Sequence, residues 1–222
     1  MRIITTQALE KDPLLLEEIV KVLKDGGLVC FPFRRQYSIA ASLTSPDAVL
    51  RLVQSKRRAS RAPSLVLIPE KDVLPQVAEE VPPAAGPLMT AFWPGTLTLL
   101  FSPSSELPSK VLKTIAAKKK DARIGVRVPA PGLPLELVRA FGGPLLTSSA
   151  NLSQKGGASS VSAIRKEFHH TVDILIENGD MPHAEPSTIV DLDGGKVQIL
   201  REGPISLGEI QAVLQKAGIV TD

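Results

Sequence analysis

The sequence contains one cysteine, one tryptophan and one tyrosine, and aromatic residues make up only 4% of it. With Cys30 alone no intramolecular disulfide can form, which suits a reducing compartment. Cys30 lies within the apolar run Gly27-Leu28-Val29-Cys30-Phe31, so it is expected to be packed and unreactive. So few aromatics exclude the stacking platforms that read single-stranded RNA base by base. No apolar run approaches the roughly 20 residues of a membrane span, and no basic segment followed by an apolar one opens the chain. A soluble, cytoplasmic protein with no membrane contact is expected.

Nucleotide and metal signatures are missing as well. The sequence has neither a GxxxxGK[ST] loop nor a GxGxxG turn, so a nucleotide bound here would not occupy a standard phosphate loop or dinucleotide crevice. His169, His170 and His183 have no supporting carboxylate pattern and are read as surface residues, so no protein-held metal is expected. A nucleophile with an adjacent base is not recognisable, which points away from covalent catalysis.

What the chain does have is grouped positive charge and one concentrated set of neutral donors. Its 222 residues, 43% hydrophobic and 22% charged, suit one compact domain over residues 1–222. The net charge is only +3, but cations cluster at Arg34-Arg35, from Lys56 to Arg61, and from Lys118 to Arg127. Grouped cations favour phosphates, although each group taken alone is equally well read as a solvated surface. From Pro144 to Ser153 the chain reads PLLTSSANLS, a short buried strand running into a loop of hydroxyl and amide side chains. These groups can donate to phosphate or carboxylate oxygens without carrying charge, so strong anion binding needs cations from elsewhere. Lys56-Arg57-Arg58 is the nearest match. On local sequence alone it reads first as cations at a helix C-terminus, where they favour the dipole, ahead of a site.

Periodicity places an edge strand at Arg2–Thr5, a helix carrying Leu14 to Leu23 that ends at Gly26-Gly27, and strands at Leu28–Phe31 and Tyr37–Ala41. Pro32 is expected at the exit of the first of that pair. A helix over Ala48–Val53 delivers Lys56, and strands follow at Ser64–Ile68, Thr96–Phe101 and Arg123–Val128. Helical segments are expected from Val73 to Phe92, interrupted at Pro82-Pro83, and over Leu107–Ala116, Leu133–Phe141, Val161–Phe168 and Leu207–Leu214. Gln154–Ser160 is a Gly/Ser loop. Asp173–Glu177 is a strand, and Ser187–Leu192 pairs with Lys196–Leu200 across Asp193-Gly194-Gly195. Several strands look hairpin-linked, so the expected fold is α+β, a three-layer arrangement of a mixed twisted sheet with helices on its faces. Within it Arg127 must point away from Val126 and Val128, toward either solvent or a basic hollow. Trp93 is expected to pack in the core.

Six segments in order carry a family resemblance: Lys56 and Arg58 as KxR, WPGTLTLLF at Trp93–Phe101, GVRVP at Gly125–Pro129, SANLS at Ser149–Ser153, STIVDL at Ser187–Leu192, and ILREG at Ile199–Gly203. Together they resemble the YrdC-like threonylcarbamoyl-AMP synthase family across nearly the whole chain. The resemblance implies a YrdC/RibB-like twisted mixed sheet curved around a basic concave surface. It implies a nucleotidyltransferase that condenses threonine, bicarbonate and ATP to threonylcarbamoyl-AMP and pyrophosphate, with Mg2+ carried on the ATP. The product would pass to a separate transferase that modifies a tRNA adenosine. By the same resemblance Lys56 and Arg58 are catalytic cations that also bind nucleotide, joined there by Ser149, Asn151, Ser187 and Arg201. Fixed cations and neutral donors are what charge building at an α-phosphorus requires.

The chain departs from the family at Pro32–Ile39, where PTxTxYGL is replaced by PFRRQYSI. Tyr37 stays, while Phe33, Arg35 and Ser38 stand for two hydroxyl residues and a glycine, so the expected substrate pocket is Tyr37, Arg34, Arg35 and Phe33. Either the reaction survives with altered geometry, or the protein is a divergent paralogue that holds nucleotide or double-stranded or structured RNA without synthase chemistry. A different acid, paired with Arg35, is a third reading.

Overall fold

The computed structural model describes residues 1–34, 36–55, 64–115, 122–150, 160–181, 185–192 and 197–219. Its strands are β1 (Arg2–Thr5), β2 (Val29–Phe33), β3 (Gln36–Ser42), β4 (Ser64–Leu67), β5 (Leu97–Phe101), β6 (Ile124–Arg127), β7 (Leu145–Ser149), β8 (Ile174–Glu177), β9 (Thr188–Asp191) and β10 (Gln198–Arg201). All belong to one sheet in the order β1-β8-β2-β3-β7-β4-β6-β5-β9-β10. Pairs β1–β8, β2–β8, β4–β6 and β5–β9 are parallel and the other neighbouring pairs antiparallel, so the expected mixed sheet is present. Arg2–Thr5 is at the edge, as expected.

The helices are α1 (Thr6–Lys11), α2 (Leu14–Lys24), α3 (Pro46–Ser55), α4 (Ala85–Phe92), α5 (Ser109–Ile115), α6 (Leu133–Phe141), α7 (Val161–Phe168) and α8 (Leu207–Lys216). Helix α2 buries Ile19, Val20 and Leu23 and packs on β2, β3 and α6; Ile19 and Leu23 belong to the apolar stripe its periodicity marks, whereas Leu14, at the head of that stripe, is exposed. Helix α6 stops at Gly142, whose φ of +77° is the left-handed cap that glycine adopts without strain. Helix α8 opens on a reciprocal cap between Ser206 and Glu209. Helix α1 has no counterpart in the sequence reading. It buries none of its residues and is held at its start by Thr5, whose side chain accepts from the Ala8 amide.

Two strand details differ from expectation. β2 continues through Pro32 to Phe33, while β8 pairs only with Val29 and Cys30. Pro32 therefore lies where β2 has lost its second neighbour, the place where a residue lacking an N–H is tolerated. The chain then reverses between the paired residues Phe33 and Gln36, and Arg34 takes a φ of +63°. That left-handed conformation costs a residue with a side chain about 1 kcal/mol.

Register sorts the sheet into two faces, since directly paired residues project to the same side. One face is apolar: Ile39, Ala41, Val66, Leu146, Leu99, Val126 and Val190 are all buried there. The other face carries Phe31, Phe33, Ser38, Ser42, Thr147, Ser149, Thr98, Gly125, Arg127 and Arg201.

Candidate functional site

The polar face bends back on itself. Between β2 and β6 lie three strands, about 19 Å across a flat sheet, and the rungs of Phe33 and Arg127 are about 20 Å apart along it. The Arg127 guanidinium nevertheless lies 5.0 Å from the centre of the Phe33 ring. Only a strongly coiled sheet brings these two side chains together, and the hollow it encloses is lined by the polar face.

Arg127 is 3% exposed, so it points neither to solvent nor to a partner carboxylate. Its Nε is buried without an acceptor, and no hydrogen bond or ion pair joins it to another described group. Burial, with repulsion from Arg34 and Arg201, pulls its pKa down to about 9. Arg201 is lowered too, first by desolvation and then by Arg34, and Arg34 by desolvation that Glu185 opposes. A buried guanidinium and two exposed ones, Arg34 and Arg201, thus lie close enough to repel one another. A carboxylate or phosphate placed there would satisfy both the charge and the open donors.

Arg201 is fixed by Ser187. Its Nε donates to the Ser187 carbonyl oxygen at 2.8 Å and its Nη2 to Ser187 Oγ at 3.1 Å, and that hydroxyl lies 3.2 Å from Thr98 Oγ1. It is not a surface pair with Glu202, whose Oε1 accepts instead from the Leu207 amide. Thr98 fits because Gly125 has no side chain, a Cβ there being 2.8 Å from Thr98 Cγ2. Thr188 donates to the Ile205 carbonyl oxygen at 2.7 Å and accepts from the amides of Gly203 and Ile205. Gly203 itself lies so close that a Cβ would be 2.8 Å from Thr188 N. The Gly95 amide donates to the Val128 carbonyl oxygen at 2.9 Å, and Trp93, half-buried against the core, donates from Nε1 to the Leu97 carbonyl oxygen at 2.8 Å. The segments WPGTLTLLF, GVRVP, STIVDL and ILREG therefore interlock around one wall of the hollow.

Other expected site residues are placed as follows. Ser149 pairs with Ser38 where β7 meets β3, and the Ala150 amide donates to the Tyr37 carbonyl oxygen. Phe33 is buried beside Phe31, ring centres 6.0 Å apart. Tyr37 is buried on the apolar face, across the sheet from Phe33. Its hydroxyl donates to the Gly179 carbonyl oxygen and accepts from the Asn178 amide, each at 2.8 Å. Arg34 is exposed at the hairpin. Lys56, Arg58, Asn151 and Arg35 lie outside the described residues, as do His183 and most of the Gln154–Ser160 loop. Cys30 is fully buried, and burial raises its thiol pKa, which fits packing.

Sequence reasoning did not place Arg127 among the site residues. Its sequence signal was a lone charge alternating with Val126 and Val128, which fixes its face but not what closes over that face.

The Sua5–YciO–YrdC family model, described as "Telomere recombination", matches residues 21–203. The chain belongs to this family. Among Sua5–YciO–YrdC relatives, the threonylcarbamoyl-AMP synthase of Pyrococcus abyssi is 30% identical over 195 residues, covering 86% of this chain and 55% of its own length. A putative threonylcarbamoyl-AMP synthase of Mycobacterium leprae is 31% identical, covering 88% of this chain and 86% of that one. The chain thus spans about half the length of the first relative and most of the second. The structure of P. abyssi Sua5 complexed with L-threonine superposes with a TM-score of 0.82 at 26% identity, over 99% of this chain and 61% of that one. Escherichia coli YciO shares the fold, with a TM-score of 0.77 at 21% identity over 94% of this chain and 98% of its own.

Proposed function

We propose that the protein is a nucleotidyltransferase of the threonylcarbamoyl-AMP synthase type. The supporting observation is the buried Arg127 guanidinium, near other cations and with its Nε lacking an acceptor, in a chain whose relatives bear that enzyme's name. The amine of threonine adds to bicarbonate, losing water and leaving a carbamate. A carbamate oxygen then attacks the α-phosphorus of ATP, the bond to the β-phosphate breaks, and threonylcarbamoyl-AMP and pyrophosphate result.

In this reading Arg127 takes the threonine carboxylate edge-on. Arg201, held by Ser187, faces the nucleotide phosphates together with Lys56 and Arg58, and Ser149 and Asn151 add neutral donors. Catalysis comes from positioning and from cations set in advance where negative charge builds. Magnesium enters on the ATP phosphates. The product passes to a tRNA-modifying transferase.

The test is release of pyrophosphate and formation of the carbamoyl adenylate from ATP, bicarbonate and threonine. Activity that requires all three and drops at least 100-fold in Lys56→Ala and Arg127→Gln supports the reading. Activity no higher than that of Lys56→Ala rejects it.

A further inference from the structure

Around Arg127 the hollow has aromatic walls. Arg127 Cζ lies over the Phe33 ring, 5.0 Å from its centre, and the Phe31 ring sits 6.0 Å from that of Phe33, so aromatic rings flank the guanidinium on that side. A cation–π contact uses none of the N–H donors, and Nε has no acceptor. A carboxylate paired edge-on then has its α-carbon, and the side chain on it, beside the Phe33 ring.

Most hydroxyls on this face are already engaged. Thr98 and Ser187 bond each other and Ser187 also accepts from Arg201, Ser42 Oγ lies 3.0 Å from Thr44 Oγ1, and Thr147 donates to the Leu65 carbonyl oxygen at 3.2 Å. Ser38, on the rung of Phe31, is the remaining described candidate among the buried hydroxyls of this face to meet a substrate hydroxyl.

We propose that Phe33 sets the amino-acid specificity of the hollow, making it tolerant of side chains without a hydroxyl, so that valine serves about as well as threonine. The two are isosteres, one ending in CH3 where the other has OH, so size cannot distinguish them. A site that hydrogen-bonds a substrate hydroxyl rejects the analogue lacking it by about 10,000-fold or more, because its own polar group is left unpaired. An apolar wall has no such group to strand. This deepens the synthase reading and rests on it for the identity of the acid subsite, but binding can be measured without turnover.

The experiment is calorimetric titration of the full chain, in the presence of ATP, with valine and with threonine, alongside kcat/KM for pyrophosphate release with each. The expected result is a valine-to-threonine difference within about tenfold in both measurements. Phe33→Thr is expected to shift the ratio at least tenfold toward threonine. Phe33→Leu keeps the wall apolar but removes the stacking ring, so it raises KM for both amino acids alike while kcat changes little. Circular dichroism melting establishes that each variant is folded.

A wild-type preference for threonine above about 100-fold overturns the proposal, and if Ser38→Ala abolishes that preference the hydroxyl reader is Ser38. Failure of either amino acid to bind overturns it too. Comparable binding of both without pyrophosphate release would reject the synthase reading while upholding the specificity of the subsite.

Discussion

Thr98 occupies the space that a side chain at Gly125 would fill: a Cβ there would lie 2.8 Å from Thr98 Cγ2 and 3.3 Å from Leu100 Cδ2. Gly125→Ala must therefore push Thr98 away from Ser187 and loosen the seat of Arg201. We expect a loss of about 2 kcal/mol, a melting shift of several degrees, and a rise in KM for ATP larger than any fall in kcat. Thermal melting and initial rates check this.

Gly203→Ala is expected to be more severe. Its Cβ would meet backbone, the Pro186 carbonyl oxygen and Thr188 N, which cannot swing aside as a side chain can. A loss of about 3 kcal/mol is expected, and Thr188→Val, which removes the hydroxyl that bridges Gly203 and Ile205, should cost about 2 kcal/mol. Denaturant unfolding of both variants measures these values.

Arg127 carries its cost in the absence of ligand. A buried cation without an acceptor destabilises the fold, and its pKa, pulled from the ordinary guanidinium range down to about 9, means the unfolded chain holds that proton more tightly. The penalty is fully present below about pH 9 and fades as pH rises above it. Arg127→Met should thus melt higher than wild type at neutral pH, by several degrees, while losing acid binding. Anion binding to wild type should weaken as pH climbs past about 9, where the guanidinium loses its charge.

Tyr37→Phe separates fold from site. The phenol is tied to the backbone of Gly179 and Asn178 from the apolar face, so its loss removes two hydrogen bonds that anchor that loop to the sheet. A destabilisation of about 2 kcal/mol is expected, with KM for the amino acid within about twofold of wild type. A large rise in that KM would instead put Tyr37 in contact with substrate.

Much of this architecture can be read from local pattern. Val161–Phe168 and Leu133–Phe141 form helices over the residues their periodicity marks, and strands fall where alternating apolar runs are bounded by Gly and Pro. Helix α1 escaped because its six residues bury nothing, so no apolar stripe marks it. Pro32 ends no strand because what decides is the missing neighbour on β8, a fact of topology that local sequence does not carry. The family motifs could be recognised from the order of their residues, but their interlocking depends on close approaches at Gly125 and Gly203. Arg127 is the instructive case. Alternation fixes which face it occupies, but only the curvature of the whole sheet determines that this face closes over it and that Phe33 becomes its neighbour.

The most direct test is a crystal structure of the protein with ATP and an amino acid bound. The account predicts the amino-acid carboxylate within hydrogen-bonding distance of Arg127, beside the Phe33 ring, with Arg201 toward the phosphates. A carboxylate bound elsewhere, with Arg127 still capped by Phe33 and lacking an acceptor, would contradict it.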